Sequence, residues 1–251
     1  MSQLLHRISG RLQRITQGHI RHRRLYQPFI LNKQGLEIGG PSEVFRRRQP
    51  ADLYRWVGRL DNCNFSRSTV WAEQQDDFTF DPQKAPGKSI FCDGSDLASV
   101  PDSSYDFILS SHNLEHFANP VKALKEWRRV LRPSGALVLV LPHYKRTFDH
   151  RRTPTSVDHM LVDFDRNVGE DDLTHLPEIL EKHDISMDPG AGTPEQFHKR
   201  SLDNISNRCL HHHVFDEANS RELLYRTGFH VRSMDLAFPF HLCILATPSG
   251  L

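Results

Sequence analysis

The sequence predicts a three-layer α/β fold with a mostly parallel sheet and an insertion late in the chain. Between residues 35 and 142, short apolar runs of strand length alternate with amphipathic segments of helix length. The run from Ala136 to Leu141 contains no polar residue, which is typical of a strand buried on both faces of a parallel sheet. Residues 143–213 break this alternation and hold nine of the sixteen histidines.

Composition limits the class of protein. The 251 residues suffice for one α/β domain with an insertion, and 37% hydrophobic with 25% charged residues indicate a soluble globular chain. A net charge of +1 predicts no general affinity for nucleic acid. The four cysteines are dispersed without a C-x-x-C pair, which argues against a disulfide framework and a zinc ribbon. No transmembrane-length run and no signal core are present, so we expect a cytoplasmic protein.

The N-terminal segment is basic and amphipathic. Residues 1–30 contain six arginines and no acid, and residues 3–24 are predicted to form a helix with leucines and isoleucines on one face. Three interpretations remain open: a helix packed on the domain, a helix of residues 1–24 that contacts an anionic membrane surface, and a mitochondrial transit segment.

The first strand–turn–helix unit is predicted around Gly35 to Phe45. Leu36 to Ile38 end a buried strand, Gly39 and Gly40 make a tight turn, and a helix is expected from Ser42 to about Val57. Backbone N–H groups at such a turn can approach a ligand, and Glu37 places a carboxylate beside them.

The later elements follow the same alternation. Residues 74–88 are predicted to form a loop or a short hairpin. The other predicted strands are Leu60–Phe65, Ile90–Cys92, Tyr105–Leu109, Ala136–Leu141, Val231–Phe238 and Leu242–Thr247; the predicted helices begin at Asn119-Pro120, span about 155–167 and 172–184, and cover Phe215–Thr227 with Gly228 as the stop.

Polar side chains follow four of the predicted parallel strands. They are Glu37, Asn64, Asp93 and His112, in chain order. Ligands of open parallel sheets bind outside the carboxyl ends of the strands, so these four positions predict a single binding site.

Four segments resemble the class I S-adenosylmethionine-dependent methyltransferases with a type-11-like domain. They are GLEIGG at 35–40, CDGS at 92–95, DFILSSHNLEH at 106–116 and RVLRPSGALVLVLP at 129–142. The glycine loop departs from the family pattern, because Pro41 and Glu43 replace its second and third glycines. The resemblance implies a Rossmann-like sandwich with a seven-stranded sheet and an antiparallel last strand, and S-adenosylmethionine as the cofactor.

The resemblance also implies roles for individual residues. Glu37, Gly39 and Gly40 would hold the amino-acid end of the cofactor, and Asn64 or Glu73 the ribose. Asp93, Gly94 and Ser95 would bind the adenine, and Ser111 and His112 would close the pocket. The chain then divides into an N-terminal segment (1–30), a cofactor-binding half (31–142), a substrate insertion (143–213) and a C-terminal helix with the closing hairpin (214–251).

The expected reaction is methyl transfer to a hydroxyl, and less readily to an amine, of a small-molecule or glycan acceptor. The loop after the fourth strand reads Ser-Ser-His-Asn instead of the Asn/Asp-Pro-Pro-Tyr that the family uses on nucleic-acid bases, so no nucleic-acid partner is expected. His143 is expected to face the transferred methyl as the general base, and His112 is the rival.

Two other functions remain open. The chain could be a non-catalytic cofactor-binding protein that docks to a membrane or partner through its basic N-terminal helix. It could instead be a metal-dependent enzyme, with His175, Glu178, His183 and Asp184 as ligands in the insertion. The consecutive histidines 211–213 are not expected to converge on one ion, because neighbouring side chains point in different directions.

Overall fold

The computed structural model describes residues 20–71 and 73–250, and its centre is an eight-stranded sheet. The strand order is β3-β4-β2-β1-β5-β6-β8-β7. The strands are β1 Gln34–Ile38, β2 Arg59–Asn64, β3 Asp77–Phe78, β4 Gly87–Phe91, β5 Tyr105–Ser111, β6 Leu131–Pro142, β7 Phe229–Ala237 and β8 His241–Pro248.

The sheet is mostly parallel, as predicted. Parallel pairs join β1 to β2 and β5, β2 to β4, and β5 to β6, whereas β8 runs antiparallel to both β6 and β7. The predicted count of seven strands is corrected to eight. The additional strand is β3, which forms within the predicted loop or hairpin and pairs antiparallel with β4.

The helices are α1 Gln27–Ile30, α2 Pro120–Val130, α3 Val157–Asp165, α4 Leu176–Lys182, α5 Pro194–Leu202, α6 Asn204–Asn207 and α7 Glu217–Arg226. The sequence predicted α2, α3, α4 and α7 but not α5, which starts inside a Pro/Gly-rich stretch. Thr193 caps α5 through a reciprocal pair of hydrogen bonds with Gln196. Within the described ranges, no helix combines the length and apolar character needed to cross a membrane.

The helix expected from Ser42 to Val57 is absent. Two 3-10 turns, Glu43–Phe45 and Tyr54–Trp56, take its place. Arg48 and Asp52 adopt positive φ angles of 67° and 48°, which an α-helix does not accept. Pro50 between them also lacks the N–H that a helix interior requires.

The two faces of the sheet are covered differently. Helices α2 and α7 pack their apolar residues, with Trp127 the largest fully buried side chain, on one face. The other face is covered by α1 and the 3-10 turns, whose core includes Tyr26, Phe45 and Tyr54. The fold therefore has three layers, but turns and short helices build most of the second outer layer.

The predicted N-terminal helix falls mostly on residues 3–19, which lie outside the described residues. Next to them, Arg23–Leu25 form a 3-10 turn instead of the end of a longer helix. Ile20 is buried in the apolar cluster of the second face, and His22 Nδ1 lies 2.8 Å from the Asp235 carboxylate. Residues 20–30 are thus packed on the sheet.

Candidate cofactor and acceptor site

A cavity of about 720 Å³ lies at the carboxyl ends of the central strands, a size typical of ligand pockets. The strand-end residues in its wall include Gly39, Gly40, Asn64, Asp93, Gly94, Ser111 and His112. The insertion contributes Arg146, Thr147, Phe148, Met187, Asp188, Pro189, Arg208 and His211 to the same wall. The structure therefore brings together most of the predicted cofactor residues and adds a second group from the insertion.

Glu37 lies under the glycine loop, not in the cavity wall. Its side chain is fully buried, and its carboxylate accepts hydrogen bonds from the backbone N–H of Ser42 (3.0 Å), the Ser42 hydroxyl (2.6 Å) and the Tyr54 hydroxyl (2.8 Å). Burial raises the pKa of Glu37 to about 7, although these hydrogen bonds oppose the rise. Glu37 therefore supports the glycine loop from outside the cavity wall, and its direct contact with the cofactor stays a prediction.

Gly39 and Gly40 are glycines for separate steric reasons. Gly39 has a φ of 75°, and a Cβ there would meet the Asn113 side chain. A Cβ on Gly40 would collide with the Glu37 carboxyl group. The Gly40 N–H donates to the Oδ1 of Asn62 at 2.9 Å, so buried Asn62 also fixes the loop. The sequence analysis missed Asn62, which stands in the middle of a strand.

Asp93 lines the cavity and is held from two sides. Its Oδ1 accepts hydrogen bonds of 2.8 Å from both the N–H and the hydroxyl of Ser95. Its Oδ2 pairs with the Arg208 guanidinium at 3.2 Å. Ser95, expected to touch the cofactor, is not in the cavity wall and instead orients Asp93.

The structure separates the two candidates for the ribose contact. Asn64 ends β2 and lines the cavity. Glu73 is exposed, accepts a hydrogen bond of 2.5 Å from the Ser68 hydroxyl and does not line the cavity. The position of Asn64 favours it over Glu73.

The two histidines expected as candidate bases occupy different environments. His112 lines the cavity and shares a hydrogen bond of 2.7 Å with the Nδ1 of His241. Burial, with a contribution from His241, lowers the pKa of His112 to about 3, so its imidazole is neutral and weakly basic. His143 is buried behind the wall, with Nε2 2.9 Å from Glu217. His143 therefore does not line this cavity, and its role as the base stays a prediction.

A histidine that the sequence analysis did not single out as a base lines the cavity. The Nδ1 of His211 lies 2.6 Å from the Oδ2 of Asp149, and Arg152 donates to the other Asp149 oxygen at 3.1 Å. Burial alone would raise the pKa of Asp149, but His211 and Arg152 lower it to about 2. Burial alone would lower the pKa of His211, and the Asp149 carboxylate instead raises it. The signals in the sequence were the histidine run and the Asp-His-Arg-Arg segment, which are far apart.

Beside this dyad lies a buried carboxylate without a hydrogen-bond partner. Glu115 is 1% exposed, and neither of its side-chain oxygens is hydrogen bonded within the described residues. Burial raises the pKa of Glu115 to about 7. The Nδ1 of neighbouring His116 contacts the Leu210 carbonyl oxygen at 3.1 Å.

Comparison with known proteins supports the resemblance. Residues 59–139 match a family model described as a methyltransferase domain. A probable methyltransferase, ltbC, of Aspergillus luteorubrus is 34% identical over 82 residues, which are 31% of this chain. The chain spans only 27% of that relative's length. Residues 59–139 therefore belong to a methyltransferase domain. The predicted resemblance and its cofactor, S-adenosylmethionine, are confirmed for this part of the chain.

The fold comparison agrees with this family. The S-adenosylmethionine-dependent methyltransferase of Mesorhizobium loti is similar in fold, with a TM-score of 0.52 over 90% of this chain and 95% of that one. At 14% sequence identity the likeness concerns the fold alone. The predicted α/β class of this methyltransferase domain is confirmed.

The metal set proposed from the sequence does not converge. In the methyltransferase insertion Glu178 pairs with Arg152 and Lys182, His183 with Asp188, and Asp184 with Arg151. The structure instead forms two groups whose ligand atoms lie within 4.8 Å of one another. Their members are Glu115, His116 and His211 in the cavity wall, and His159, Asp163, His175 and His213 outside it.

The three consecutive histidines of the methyltransferase insertion diverge, as predicted. His211 contacts Asp149, His212 Nε2 contacts the Asn204 amide at 3.0 Å, and His213 Nε2 contacts the Ala118 carbonyl at 3.2 Å. Only His211 lines the cavity.

Proposed function

We propose that this chain transfers a methyl group from S-adenosylmethionine to a hydroxyl, and less readily to an amine, of a small polar or sugar-like acceptor. The observation that carries the proposal is the composition of the cavity wall. Strand-end residues of a methyltransferase domain and His211 of the insertion, which is paired with buried Asp149, line one cavity. Cofactor and acceptor can therefore share an enclosed space.

The cofactor is assigned to the strand-end side of this cavity. The loop at Gly39 and Gly40 receives its amino-acid end, Asn64 the ribose hydroxyls, and Asp93 the adenine amino group. The ion pair of Asp93 with Arg208 must open or shift to free the Oδ2 oxygen for the adenine. Arg208 has two alternative contacts for this purpose: Glu170 at 3.0 Å and the Phe65 ring at 5.3 Å.

The residues of the dyad suit a general base. Because Nδ1 of His211 is hydrogen bonded to Asp149, the lone pair of the neutral ring is on Nε2. S-adenosylmethionine, when bound, would supply an electrophilic methyl group and leave as a neutral thioether. Nε2 of His211 would take the proton of the acceptor hydroxyl, and Asp149 would stabilise the imidazolium that forms.

The lining of the insertion side favours a polar acceptor. Arg146, Asp188 and His241 offer charged or hydrogen-bonding groups, and Phe148 and Phe240 offer aromatic surfaces. Sugars present hydroxyls at their edges and C–H groups on their faces, which matches such a mixture. The alternative of a non-catalytic module depends on residues 1–19, which are outside the described part of the chain.

A cation-assisted form of the same transfer is the second candidate. Glu115, His116 and His211 could hold one divalent cation in the cavity wall, and a bound cation lowers the pKa of an acceptor hydroxyl. The hydrogen bonds to Nδ1 of both histidines leave Nε2 available as the metal ligand.

The test combines cofactor binding with transfer. Purified protein is expected to bind S-adenosylhomocysteine in calorimetry and to pass a labelled methyl group to members of a panel of nucleotide-sugars and phenols. Transfer only to amines would refute the hydroxyl assignment, and cofactor binding without turnover on any acceptor would favour the module. Glu115→Gln separates the two mechanisms: it removes a cation ligand but leaves the dyad, so retained turnover supports the base.

A further inference from the structure

Three imidazoles and one carboxylate of the insertion meet outside the wall of the cavity. We call His159, Asp163, His175 and His213 the His3Asp cluster. Each member offers one ligand atom, and the four atoms lie within 4.8 Å of one another. None of the four residues lines the cavity, so the cluster is separate from the cofactor and acceptor site.

Three separate segments bring these ligands together. His159 and Asp163 stand one turn apart on α3 and therefore share a face of that helix. His175 immediately precedes α4, and His213 belongs to the extended segment before α7. The sequence analysis named one of these four residues, His175, as a metal ligand. The residues that it grouped with His175 have other partners in the structure.

The distances within the cluster fit a tetrahedral metal ion. His159 Nε2 lies 3.1 Å from His175 Nε2 and 3.3 Å from Asp163 Oδ2. The same Asp163 oxygen lies 3.7 Å from His213 Nε2. Zinc binds nitrogen and oxygen ligands at about 2.0–2.1 Å, which in a tetrahedron separates the ligand atoms by about 3.3 Å.

Within the described residues, the carboxylate of the cluster forms no ion pair with a lysine or an arginine, and its charged neighbours at close range are the cluster's own histidines. Asp163 is only 8% exposed, and its Oδ2 is buried without a hydrogen bond within the described residues. His213 is 1% exposed, so the ring that faces this carboxylate is also shielded from water. A buried carboxylate is costly without a compensating charge, which a divalent cation between these four side chains supplies.

We propose that the His3Asp cluster binds one divalent transition-metal cation, with zinc preferred because of the nitrogen and oxygen donors and the tetrahedral spacing. Four protein ligands close the coordination sphere, so the ion has a structural role. It joins α3, the start of α4 and the segment that carries His211. His213 binds the ion through the lone pair of Nε2, the same atom that lies next to the Ala118 carbonyl oxygen.

The direct test is the metal content of protein without a histidine tag. Protein produced in zinc-containing medium and passed over a desalting column is analysed by mass spectrometry for metals. We expect Asp163→Asn and His159→Ala each to lower the zinc content by about one equivalent per chain relative to the unsubstituted protein. The His159 side chain is 42% exposed, so its removal leaves the core intact.

Two controls define the outcome. His198→Ala removes an exposed histidine of α5 and is expected to leave the zinc content unchanged. Glu115→Gln removes a ligand of the group in the cavity wall. It is expected to leave the one equivalent of zinc at the His3Asp cluster in place. Two outcomes overturn the proposal. One is an unchanged zinc content in Asp163→Asn and His159→Ala, and the other is unsubstituted protein that takes up no zinc under any condition.

A second readout follows the ion independently of methyl transfer. Zinc added to metal-stripped protein is expected to raise its melting temperature, because a ligand of the folded state stabilises it. The same addition is expected to have a much smaller effect on His159→Ala. Equal shifts in both proteins contradict binding at the cluster, whether or not the chain methylates any acceptor.

Discussion

The Nδ1 of His211, a residue of the cavity wall, lies 2.6 Å from the Oδ2 of Asp149, although 62 positions separate the two residues in the sequence. Arg152 ties the pair together, because its guanidinium contacts both the Asp149 carboxylate at 3.1 Å and the His211 carbonyl oxygen at 2.7 Å. The dyad is therefore a pre-organised unit in which the imidazole has one orientation. In the proposed mechanism, this arrangement supplies the general base.

Replacing the imidazole of this dyad tests the assignment of the base. His211→Gln is expected to lower kcat by about 10²–10⁴-fold, the usual contribution of a general base, without loss of affinity for S-adenosylhomocysteine. Steady-state kinetics and calorimetry measure the two effects. The matched variant is His143→Gln, and a larger loss of kcat in that variant would restore His143 as the base.

The adenine contact is tested at Asp93. Asp93→Ala is expected to weaken S-adenosylhomocysteine binding by about 10-fold or more, because a hydrogen bond to a charged group contributes about 1.5–3 kcal/mol. Asp96→Ala, which changes an exposed neighbour, is the control and should bind as the unsubstituted protein does. Equal affinities of all three proteins in calorimetry would remove Asp93 from the site.

The ribose contact is tested by comparing two residues. Asn64→Ala is expected to weaken S-adenosylhomocysteine binding, because the Asn64 side chain borders the cavity at the end of β2. Glu73→Ala is expected to have no effect on binding, because Glu73 is exposed and bonded to Ser68. The reverse order of affinities would assign the ribose to Glu73.

The pH dependence of stability is tested at Glu37, whose pKa in the folded protein is about 7. The folded state holds this proton more tightly than the unfolded state, whose carboxyl titrates near 4.5. The contribution of Glu37 to the free energy of unfolding should therefore be constant below about pH 4.5, decrease as the pH rises to about 7, and stay low above it.

Glu37→Gln removes this titration. The difference in unfolding free energy between the unsubstituted protein and Glu37→Gln should shift by a few kcal/mol between pH 4.5 and 7, at about 1.4 kcal/mol per pH unit. Denaturant unfolding at several pH values measures the difference. A constant difference across this pH range would contradict the raised pKa of Glu37 in the folded protein.

Local patterns located the elements of the sheet well. The strands predicted to end at Ile38, Phe65 and Leu141 correspond to β1, β2 and β6 within a few residues. The signal was clearest for β6, because a strand buried on both faces needs a continuous apolar stretch. The helix expected after Gly40 was wrong, because the positive φ angles of Arg48 and Asp52 depend on packing that periodicity does not report.

The site was predictable only in part for the same reason. Asn64, Asp93 and His112 follow strands, and the position of strand ends in a parallel sheet is a property of the sequence order. Ser95 and Glu37 were also predicted to touch the ligand, but they lie outside the cavity wall and bond to Asp93 and Ser42, because of the directions of their side chains.

The sequence by itself determined the α/β alternation, the methyltransferase motifs and the edge of the sheet where a cofactor binds, since these follow from residues that are close in the chain. Only the tertiary structure decided that His211 rather than His143 lines the cavity, and that His159, Asp163, His175 and His213 form a cluster. The physical reason is that the insertion folds as short helices joined by irregular segments, in which the direction of a side chain has no fixed period. Long-range packing therefore decides which residues a side chain of the insertion contacts.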